Sequence, residues 1–380
     1  MVNQKLNSVL VEDPVDGLSI KARHLIPDKD MALREVPLLK YYCVDPSVEE
    51  IIAHNLRWAN GSEGRPMLKF AYVDLPTSCN QRCMGCFTGN DKGRLLPQLD
   101  GYFYNEAALD EITTFLIGHC AESIVYSGGG ELFTWDGAFD YIERIMDAGL
   151  SMMIFTNGTL LSKSDVDWLS KRNISLTISI RGTTERDHDA IVRARGFRKS
   201  IRTLEYALES GLHEQNKLAV ELPVTKGNSE SALYDFIPAM RLLGVIPFAE
   251  EYIQVTTSTD EKRLCHDFNE ARAFFSMACE IDRKFGYSHD LVFGERMLAQ
   301  GKCRRPLYSF IIYPNGDVMD CPSSSIRYGN MFETSLRDVI YSDCFKYALR
   351  SFSLCPCSTF YTENESQVPI QLPSHLEVFR

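Results

Sequence analysis

An alternation of strands and helices between residues 67 and 255 constrains the fold most strongly. Short apolar runs such as residues 68–74, 123–126 and 218–224 are separated by amphipathic segments of helical period. Six such units predict a parallel sheet, because parallel neighbours need a crossover connection, which the intervening helix supplies. Roughly 190 residues are too few for the ~250 of a closed eight-fold barrel. We therefore expect an α/β fold, a partial (β/α)6 TIM barrel.

Changes in hydrophobic period and in turn motifs divide the chain into four regions. Residues 1–66 have no strong period and are expected to cap the main domain, which spans residues 67–285. Residues 286–357 contain a hairpin with a tight Pro-Asn-Gly-Asp turn and then a helix, which predicts a small C-terminal α+β domain. Residues 358–380 form a tail without a clear period.

Charge and hydropathy exclude several classes of function. The formal net charge is −11, which disfavours a nucleic-acid partner because phosphate contacts need a positive surface. The sequence has no run of about 18 apolar residues, so no transmembrane helix and no membrane partner are expected. The first residues are polar and acidic and do not resemble the apolar core of a signal peptide. We expect a cytoplasmic protein.

Seven of the twelve cysteines fall into two clusters with the spacing of metal ligands. In a reducing compartment such clusters bind metal more often than they form disulfides. Cys79, Cys83 and Cys86 follow the first strand with the spacing CxxxCxxC. Three thiolates leave one iron of a cubane open for chemistry, whereas a structural zinc normally takes four ligands. Zinc is the alternative interpretation of this loop.

This spacing resembles the signature of the radical S-adenosylmethionine (SAM) superfamily, which follows the first barrel strand. The glycine-rich stretch after the second strand, Thr156-Asn157-Gly158 after the third and Ser179 at the end of the fourth also resemble the family's SAM-binding segments. Residues 188–195 resemble the segment that supplies an arginine to the SAM carboxylate. The implied SAM-binding residues are Gly128, Gly129, Gly130, Glu131, Asn157, Ser179, Arg193 and Arg195.

Two positions depart from the family pattern. The family usually has an aromatic residue just before the third cysteine, where this chain has Gly85. The family usually has a proline after the glutamate, where this chain has Leu132. Neither change removes a ligand, but both could alter the packing around the cluster.

The C-terminal cysteines resemble the auxiliary-cluster module of the same superfamily, called SPASM or, in its shorter form, twitch. The resemblance implies a second, fully ligated [4Fe–4S] cluster, and the short form is favoured because few cysteines remain downstream. Cys344 could replace one member of the closing Cys-Pro-Cys pair, and a zinc ribbon is the alternative for the module. The implied ligands are Cys303, Cys321, Cys355 and Cys357.

The resemblance implies an oxidoreductase that cleaves SAM to a 5′-deoxyadenosyl radical and takes a hydrogen atom from its substrate. A small polar substrate (a sugar, aminocyclitol or nucleoside), oxidised or epimerised, is expected because no peptide-binding domain is evident before the barrel. A peptide- or protein-modifying maturase is the alternative, and a non-catalytic iron–sulfur electron carrier is the distant one. The implied cofactors are SAM, a SAM-binding [4Fe–4S] cluster and an auxiliary [4Fe–4S] cluster. The implied partner is a reductant such as flavodoxin or ferredoxin.

Three further sets of residues are weaker candidates. Cys265 and Cys279 could return a hydrogen atom to the substrate, although packing in a helix is the better interpretation. The arginines between residues 181 and 202 could bind an anionic group by a bidentate contact, although most fit a solvated helix face. Glu250 and Glu251 at the last strand could bind a polar substrate or form a plain surface pair.

Overall fold

One nine-stranded sheet organises this computed structural model, which describes residues 46–74, 79–86, 106–127, 129–252, 264–284, 304–320 and 326–351. Its strands are β1 (Phe70–Val73), β2 (Ser123–Tyr126), β3 (Ser151–Thr156), β4 (Ile174–Ser179), β5 (Leu218–Val224), β6 (Ile246–Glu251), β7 (Ile311–Ile312), β8 (Asp317–Met319) and β9 (Arg327–Asn330). Their spatial order is β6-β5-β4-β3-β2-β1-β7-β8-β9, so the sheet is not closed.

Strands β1 to β6 are parallel neighbours in chain order. At least one helix lies in the connection between each two consecutive strands. This confirms the predicted partial (β/α)6 barrel. Strand β7 adds to the free side of β1 in parallel, and β8 and β9 continue in antiparallel order. The C-terminal hairpin therefore extends the barrel sheet through main-chain hydrogen bonds. The predicted division of the chain into four regions stays a prediction.

The helices cover one face of the sheet. They are α1 (Pro46–Ala59), α2 (Glu106–Gly118), α3 (Ala138–Asp147), α4 (Lys163–Ser170), α5 (Glu185–Val192), α6 (Phe197–Glu209), α7 (Ser229–Ser231), α8 (Ile237–Leu242), α9 (Phe268–Lys284), α10 (Leu336–Tyr341) and α11 (Asp343–Ser351). Local sequence explains several starts, such as the capping box in which Ser162 and Asp165 bond reciprocally ahead of α4. No helix in these described ranges is both long and apolar enough to cross a bilayer.

Two helices differ from the sequence prediction. The sequence predicts one helix over residues 231–243, but this segment contains a π-helical turn, Ala232–Phe236, immediately before α8, which carries Pro238 in its first turn. Proline has no backbone N–H to donate, so the regular pattern is interrupted there. The sequence also predicts one helix over residues 335–350, with Cys344 near its middle, but two helices form there because Ser342 is extended (φ −65°, ψ 158°). Cys344 therefore lies in the first turn of α11 and not in mid-helix.

Strand alternation produces two hydrophobic layers. One face, which includes Ala71, Ile154 and Val220, packs against the helices. The other face forms a separate cluster that includes Phe70, Phe155 and Phe248 and lines the barrel interior. Because side chains alternate along a strand, polar residues in register with the second cluster at the strand ends face the interior. Polar side chains therefore lie at the carboxyl edge of the sheet, next to the aromatic residues that line the barrel interior.

Candidate functional site

The three-cysteine loop follows β1 and is fixed to the end of α5. The backbone N–H of Arg82 donates to the Val192 carbonyl at 3.0 Å, and that of Met84 donates to the Ile191 carbonyl at 2.9 Å. None of Cys79, Cys83 and Cys86 is in a disulfide; Cys79 is exposed and the other two are half-buried. The loop therefore holds three thiols at the carboxyl edge of the sheet.

The pKa values of these thiols show what binding of a metal group would require. Desolvation by the surrounding protein raises the pKa of Cys79 to about 11, although part of its surface is exposed, and the neighbouring Cys83 and Cys86 thiols act in the same direction. Burial also raises the pKa of Cys83. Metal ligation removes these protons, since thiolates and not thiols bind metals. The donor set therefore fits a cationic iron–sulfur core.

The arrangement of the three thiols fits a cubane better than a zinc ion. Within the described ranges, no three Cys, His, Asp or Glu side chains converge closely enough to hold one metal ion. In a [4Fe–4S] cluster each thiolate binds a different iron, so the sulfurs do not meet at one point. A structural zinc needs four ligands converging on one tetrahedral centre.

Asp74 is a buried acid that was not predicted as a site residue. It hydrogen-bonds the loop after β2 that contains Gly129 and Gly130, called the glycine loop below. Its carboxylate accepts the Ser127 backbone N–H at 3.1 Å and the Ser127 hydroxyl at 2.9 Å, and the Gly129 backbone also donates to it. Burial raises the pKa of Asp74 to about 6. A Cβ on Gly129 would lie 3.1 Å from this carboxyl group. Gly128 lies outside the described residues. The signal in the sequence was an acid directly after an apolar strand.

The Glu131 side chain is buried, and its hydrogen bonds join the glycine loop to the loop after β3. Its carboxylate accepts the Thr156 hydroxyl at 2.7 Å and the Asn157 backbone N–H at 2.7 Å. The residue is 1% exposed, and burial raises its pKa. The backbone of Gly129 and Gly130 is thus the part of this loop that is open to a ligand.

Asn157 links the third strand to the cysteine loop. Its amide donates to the Asn80 side chain at 2.8 Å, and the Asn80 amide donates to the Thr159 hydroxyl at 2.7 Å. The Asn157 oxygen also accepts the Thr159 backbone N–H at 2.9 Å. Because Asn80 follows Cys79 directly, this network positions the cysteine loop against the end of β3.

Ser179 and Arg181 contact the same carboxylate, that of Glu221 in the middle of β5. The Ser179 hydroxyl donates to one Glu221 oxygen, and the Arg181 guanidinium lies 3.5 Å from the other. The Arg181 guanidinium also lies beside Cys83 and lowers the pKa of its thiol, against the rise that burial causes. The fourth strand thus places a cation directly beside the cysteine loop, a position that the sequence alone did not reveal.

The two arginines predicted to meet SAM are exposed at the end of α5 and in the turn that follows it. Arg193 is exposed and ends α5 with a left-handed backbone (φ 52°), and Arg195 is exposed in the following turn. Asp189 closes this turn by accepting the Gly196 and Phe197 backbone N–H groups, each at 3.0 Å. A role of Arg193 or Arg195 in SAM binding stays a prediction.

Tyr252 explains how the chain tolerates glycine before the third cysteine. Gly85 has a positive φ of 69°, and a Cβ there would overlap the Tyr252 hydroxyl. An aromatic ring next to the cysteine loop therefore comes from Tyr252, directly after β6. Glycine is required on both counts, conformation and space.

The two glutamates at the end of β6 lie on opposite faces. Glu250 pairs with Pro223 in register and shares the alternation of Phe248, which lines the barrel interior. Glu251 shares the alternation of Ala249, which packs on the helix side. Glu251 is 3% exposed, its carboxylate has no hydrogen-bond partner among the residues that the structure describes, and burial raises its pKa to about 8. Glu250 is thus the one that faces the site.

The remaining cysteines divide into described and undescribed residues. Cys265 and Cys279 are half-buried, before and within α9. Cys344 is half-buried beside the core, and its thiol donates to the Arg327 carbonyl at 3.7 Å. The predicted auxiliary ligands lie outside the described residues: Cys303, Cys321, Cys355 and Cys357.

Several known proteins are similar to this chain in sequence or in fold. AlbA of Bacillus subtilis, an antilisterial bacteriocin subtilosin biosynthesis protein, is 23% identical over 297 residues, which cover 74% of this chain and 62% of AlbA. The chain thus spans about three fifths of that relative's length. Streptococcus suis SuiB bound to its precursor peptide SuiA shares the fold with a TM-score of 0.57 and 18% identity, over 80% of this chain and 71% of SuiB. The structure of anSMEcpe with AdoMet and a Cp18Cys peptide has a TM-score of 0.56 and 13% identity, over 73% and 81% of the two chains.

Two family models match the chain at the regions described above. The radical SAM superfamily model matches residues 74–237, which include the cysteine loop and the ends of β2 to β5. The SPASM model, an iron–sulfur cluster-binding domain, matches residues 303–359. These domains imply SAM and [4Fe–4S] clusters as cofactors. The chain therefore contains a radical SAM domain at residues 74–237 and a SPASM domain at residues 303–359.

Proposed function

We propose that the chain is a radical SAM oxidoreductase that modifies a peptide, with its SAM-binding cluster on Cys79, Cys83 and Cys86. The supporting observation is the cysteine loop itself. It is held by Val192 and Ile191 on one side and by the Asn80–Asn157 pair on the other, at the open carboxyl edge of the sheet. A cluster held by three ligands there would keep one iron accessible from the barrel interior.

When bound, the cluster and SAM supply one-electron cleavage of SAM and a 5′-deoxyadenosyl radical that removes a hydrogen atom from the substrate. The chain's own residues position these groups. Asp74 and Glu131 hold the glycine loop so that its backbone can approach the SAM amino group. Ser179, whose hydroxyl donates to Glu221, would contact the SAM ribose. The apolar cluster around Phe155 and Phe248 would keep water out of the barrel interior.

A peptide is favoured over a small polar molecule as the substrate. Two similar structures, SuiB and anSMEcpe, contain a bound peptide, and AlbA takes part in the synthesis of a bacteriocin. Glu250 faces the barrel mouth and offers a carboxylate to a peptide N–H or a basic side chain. A small polar substrate, the first expectation from the sequence, is the second candidate.

The auxiliary cluster and the electron source complete the proposal. Cys303, Cys321, Cys355 and Cys357 fall inside the SPASM match and would hold the auxiliary cluster, which can accept an electron from a substrate radical. The reductant would be flavodoxin or ferredoxin. The result for the peptide is a two-electron oxidation or an epimerisation.

Formation of 5′-deoxyadenosine tests the enzyme class. The full chain is reconstituted anaerobically with iron and sulfide, reduced with dithionite and incubated with SAM. We expect 5′-deoxyadenosine from the wild-type chain and none from a triple variant with alanine at Cys79, Cys83 and Cys86. A matched variant, Cys120→Ala, removes an exposed thiol outside the loop and should retain the product. Equal product from the triple variant and the wild type would contradict the assignment.

Co-expression tests the substrate class. The chain is expressed with each short peptide encoded beside its gene, and the peptides are analysed by mass spectrometry. Loss of two hydrogen masses, or an unchanged mass with deuterium incorporated from heavy water, would support oxidation or epimerisation of a peptide. Unmodified peptides, together with turnover of a sugar, aminocyclitol or nucleoside, would favour the second candidate.

A further inference from the structure

We infer that Arg181 tunes the reduction potential of the SAM-binding cluster: its guanidinium lies beside Cys83 and raises the potential, whereas Glu221 is the opposing charge. This inference rests on the proposed cluster at Cys79, Cys83 and Cys86. It concerns a residue that follows Ser179 by two positions and faces the same interior.

The backbone of Arg181 is fixed by its surroundings. Its N–H donates to Nδ1 of His188 at 3.0 Å, and His188 is fully buried. Burial lowers the pKa of His188 to about 4, so the ring is neutral and carries its proton on Nε2. A Cβ on Gly182 would lie 2.7 Å from the His188 backbone nitrogen. The turn after β4 therefore has little freedom to move the Arg181 side chain away.

The side chain of Arg181 is held between two partners. Glu221 on the neighbouring strand β5 lies 3.5 Å from it and is 12% exposed, compared with 30% for Arg181. The second Glu221 oxygen is occupied by Ser179. A guanidinium has five N–H donors in a rigid plane, so one edge can meet the carboxylate while another lies toward Cys83.

The sign of the effect follows from charge. Reduction adds one negative charge to the cluster, and hydrogen bonds to the sulfurs together with nearby cations stabilise that charge. Half-burial limits the screening of this interaction by water. Glu221 has the opposite charge and acts on the same cluster through the same ion pair. Removing Arg181 should therefore lower the reduction potential, and removing the Glu221 charge should raise it.

The experiment compares Arg181→Gln, Arg181→Lys, Glu221→Gln and a control, Arg186→Gln, whose side chain is 90% exposed at the start of α5. Each anaerobic holoenzyme is titrated with reductant without SAM and followed by electron paramagnetic resonance. The signal of the proposed cluster is identified by its change when SAM is added to a parallel sample. Iron content confirms that each variant is loaded.

We expect Arg181→Gln to lower the equilibrium constant for cluster reduction by roughly threefold to tenfold, a tenfold change being 59 mV for one electron. Arg181→Lys keeps the charge but loses the planar contact, so its value should lie between those of the wild type and Arg181→Gln. Glu221→Gln should shift the potential in the opposite direction, and Arg186→Gln should leave it unchanged. A purely structural role would not give opposite signs.

Several outcomes would overturn the inference. Equal potentials in all loaded variants, or shifts of the same sign for Arg181→Gln and Glu221→Gln, would contradict it. Weaker SAM binding at an unchanged potential would make Arg181 a SAM ligand instead. If Arg181→Gln loses its iron, Glu221→Gln decides by whether its potential rises. Absence of a SAM-responsive cluster signal in the wild type would instead refute the proposed function.

Discussion

The carboxylate of Glu131 accepts the backbone N–H of Asn157 at 2.7 Å, which joins the glycine loop after β2 to the loop after β3. The Asn157 side chain in turn contacts Asn80 in the cysteine loop. Three consecutive strand ends are therefore connected by buried or half-buried hydrogen bonds. Because each loop carries a different part of the proposed cofactor site, their relative positions depend on this chain of contacts.

Replacing Glu131 by alanine should disrupt both stability and SAM binding. The Thr156 hydroxyl and the Asn157 N–H would lose their buried acceptor, which costs about 2–4 kcal/mol of the free energy of unfolding. We expect SAM affinity, measured by equilibrium dialysis, to fall by roughly tenfold or more as the glycine loop loosens. Glu131→Gln keeps one oxygen for Asn157 and should retain most of both. If Glu131→Ala bound SAM with the affinity of the wild type, the hydrogen bonds of Glu131 would not be needed for SAM binding.

Gly85→Ala should prevent normal cluster assembly. The new methyl group would overlap the Tyr252 hydroxyl, and the left-handed backbone at Gly85 costs a further ~1 kcal/mol for a residue with a Cβ. We expect low iron content on Cys79, Cys83 and Cys86 after reconstitution. Combining Gly85→Ala with Tyr252→Ala removes the overlap and should restore part of the iron. Gly61→Ala, a left-handed glycine with open space around it, is the matched control.

Glu251 should make stability fall as the pH rises. The unfolded chain releases this proton near the ordinary pKa of 4.5, whereas the folded chain keeps it to about pH 8 because the carboxyl is buried. The folded state binds more protons across this range, so the free energy of unfolding decreases from pH 4.5 to pH 8. Each pKa unit is worth about 1.4 kcal/mol, so a shift from 4.5 to about 8 sets the cost on the order of 5 kcal/mol at alkaline pH.

Glu251→Gln should therefore be more stable than the wild type at high pH and similar to it at low pH. Anaerobic urea unfolding, followed by tryptophan fluorescence at about pH 5 and about pH 8.5, measures this difference. Glu280→Gln removes an exposed carboxylate from α9 and should not change the pH dependence. Parallel pH profiles for the wild type and Glu251→Gln would contradict the prediction.

Loss of an auxiliary ligand should reduce the iron content without removing the first cluster. Cys321→Ala is expected to lower iron from about eight to about four per chain if the module holds one [4Fe–4S] cluster. The SAM-responsive signal of the first cluster should persist, because its ligands lie in a separate loop. Cys344→Ala tests whether that half-buried thiol is a ligand, and we expect no loss of iron from it. An equal loss in both variants would assign Cys344 to the cluster.

The order of elements and most of their bounds could be predicted from sequence periodicity. Strands β2 and β5 have the predicted bounds, and β3 differs by one residue at each end. The short helix α5 was not predicted, because its eight residues, Glu185–Val192, are mostly polar and show a weak apolar pattern. The break at Ser342 was missed for a similar reason: serine is compatible with both a helix and an extended turn.

The sequence by itself determined the strand–helix order, the three-thiol spacing and the polar residues at the strand ends, since these depend on local period and on neighbours along the chain. Only the tertiary structure decided that Arg181 lies beside Cys83, that Tyr252 fills the space next to Gly85 and that Glu251 is buried behind the sheet. Such contacts join residues distant in sequence. They depend on how neighbouring strands bring their ends together, which no local pattern records.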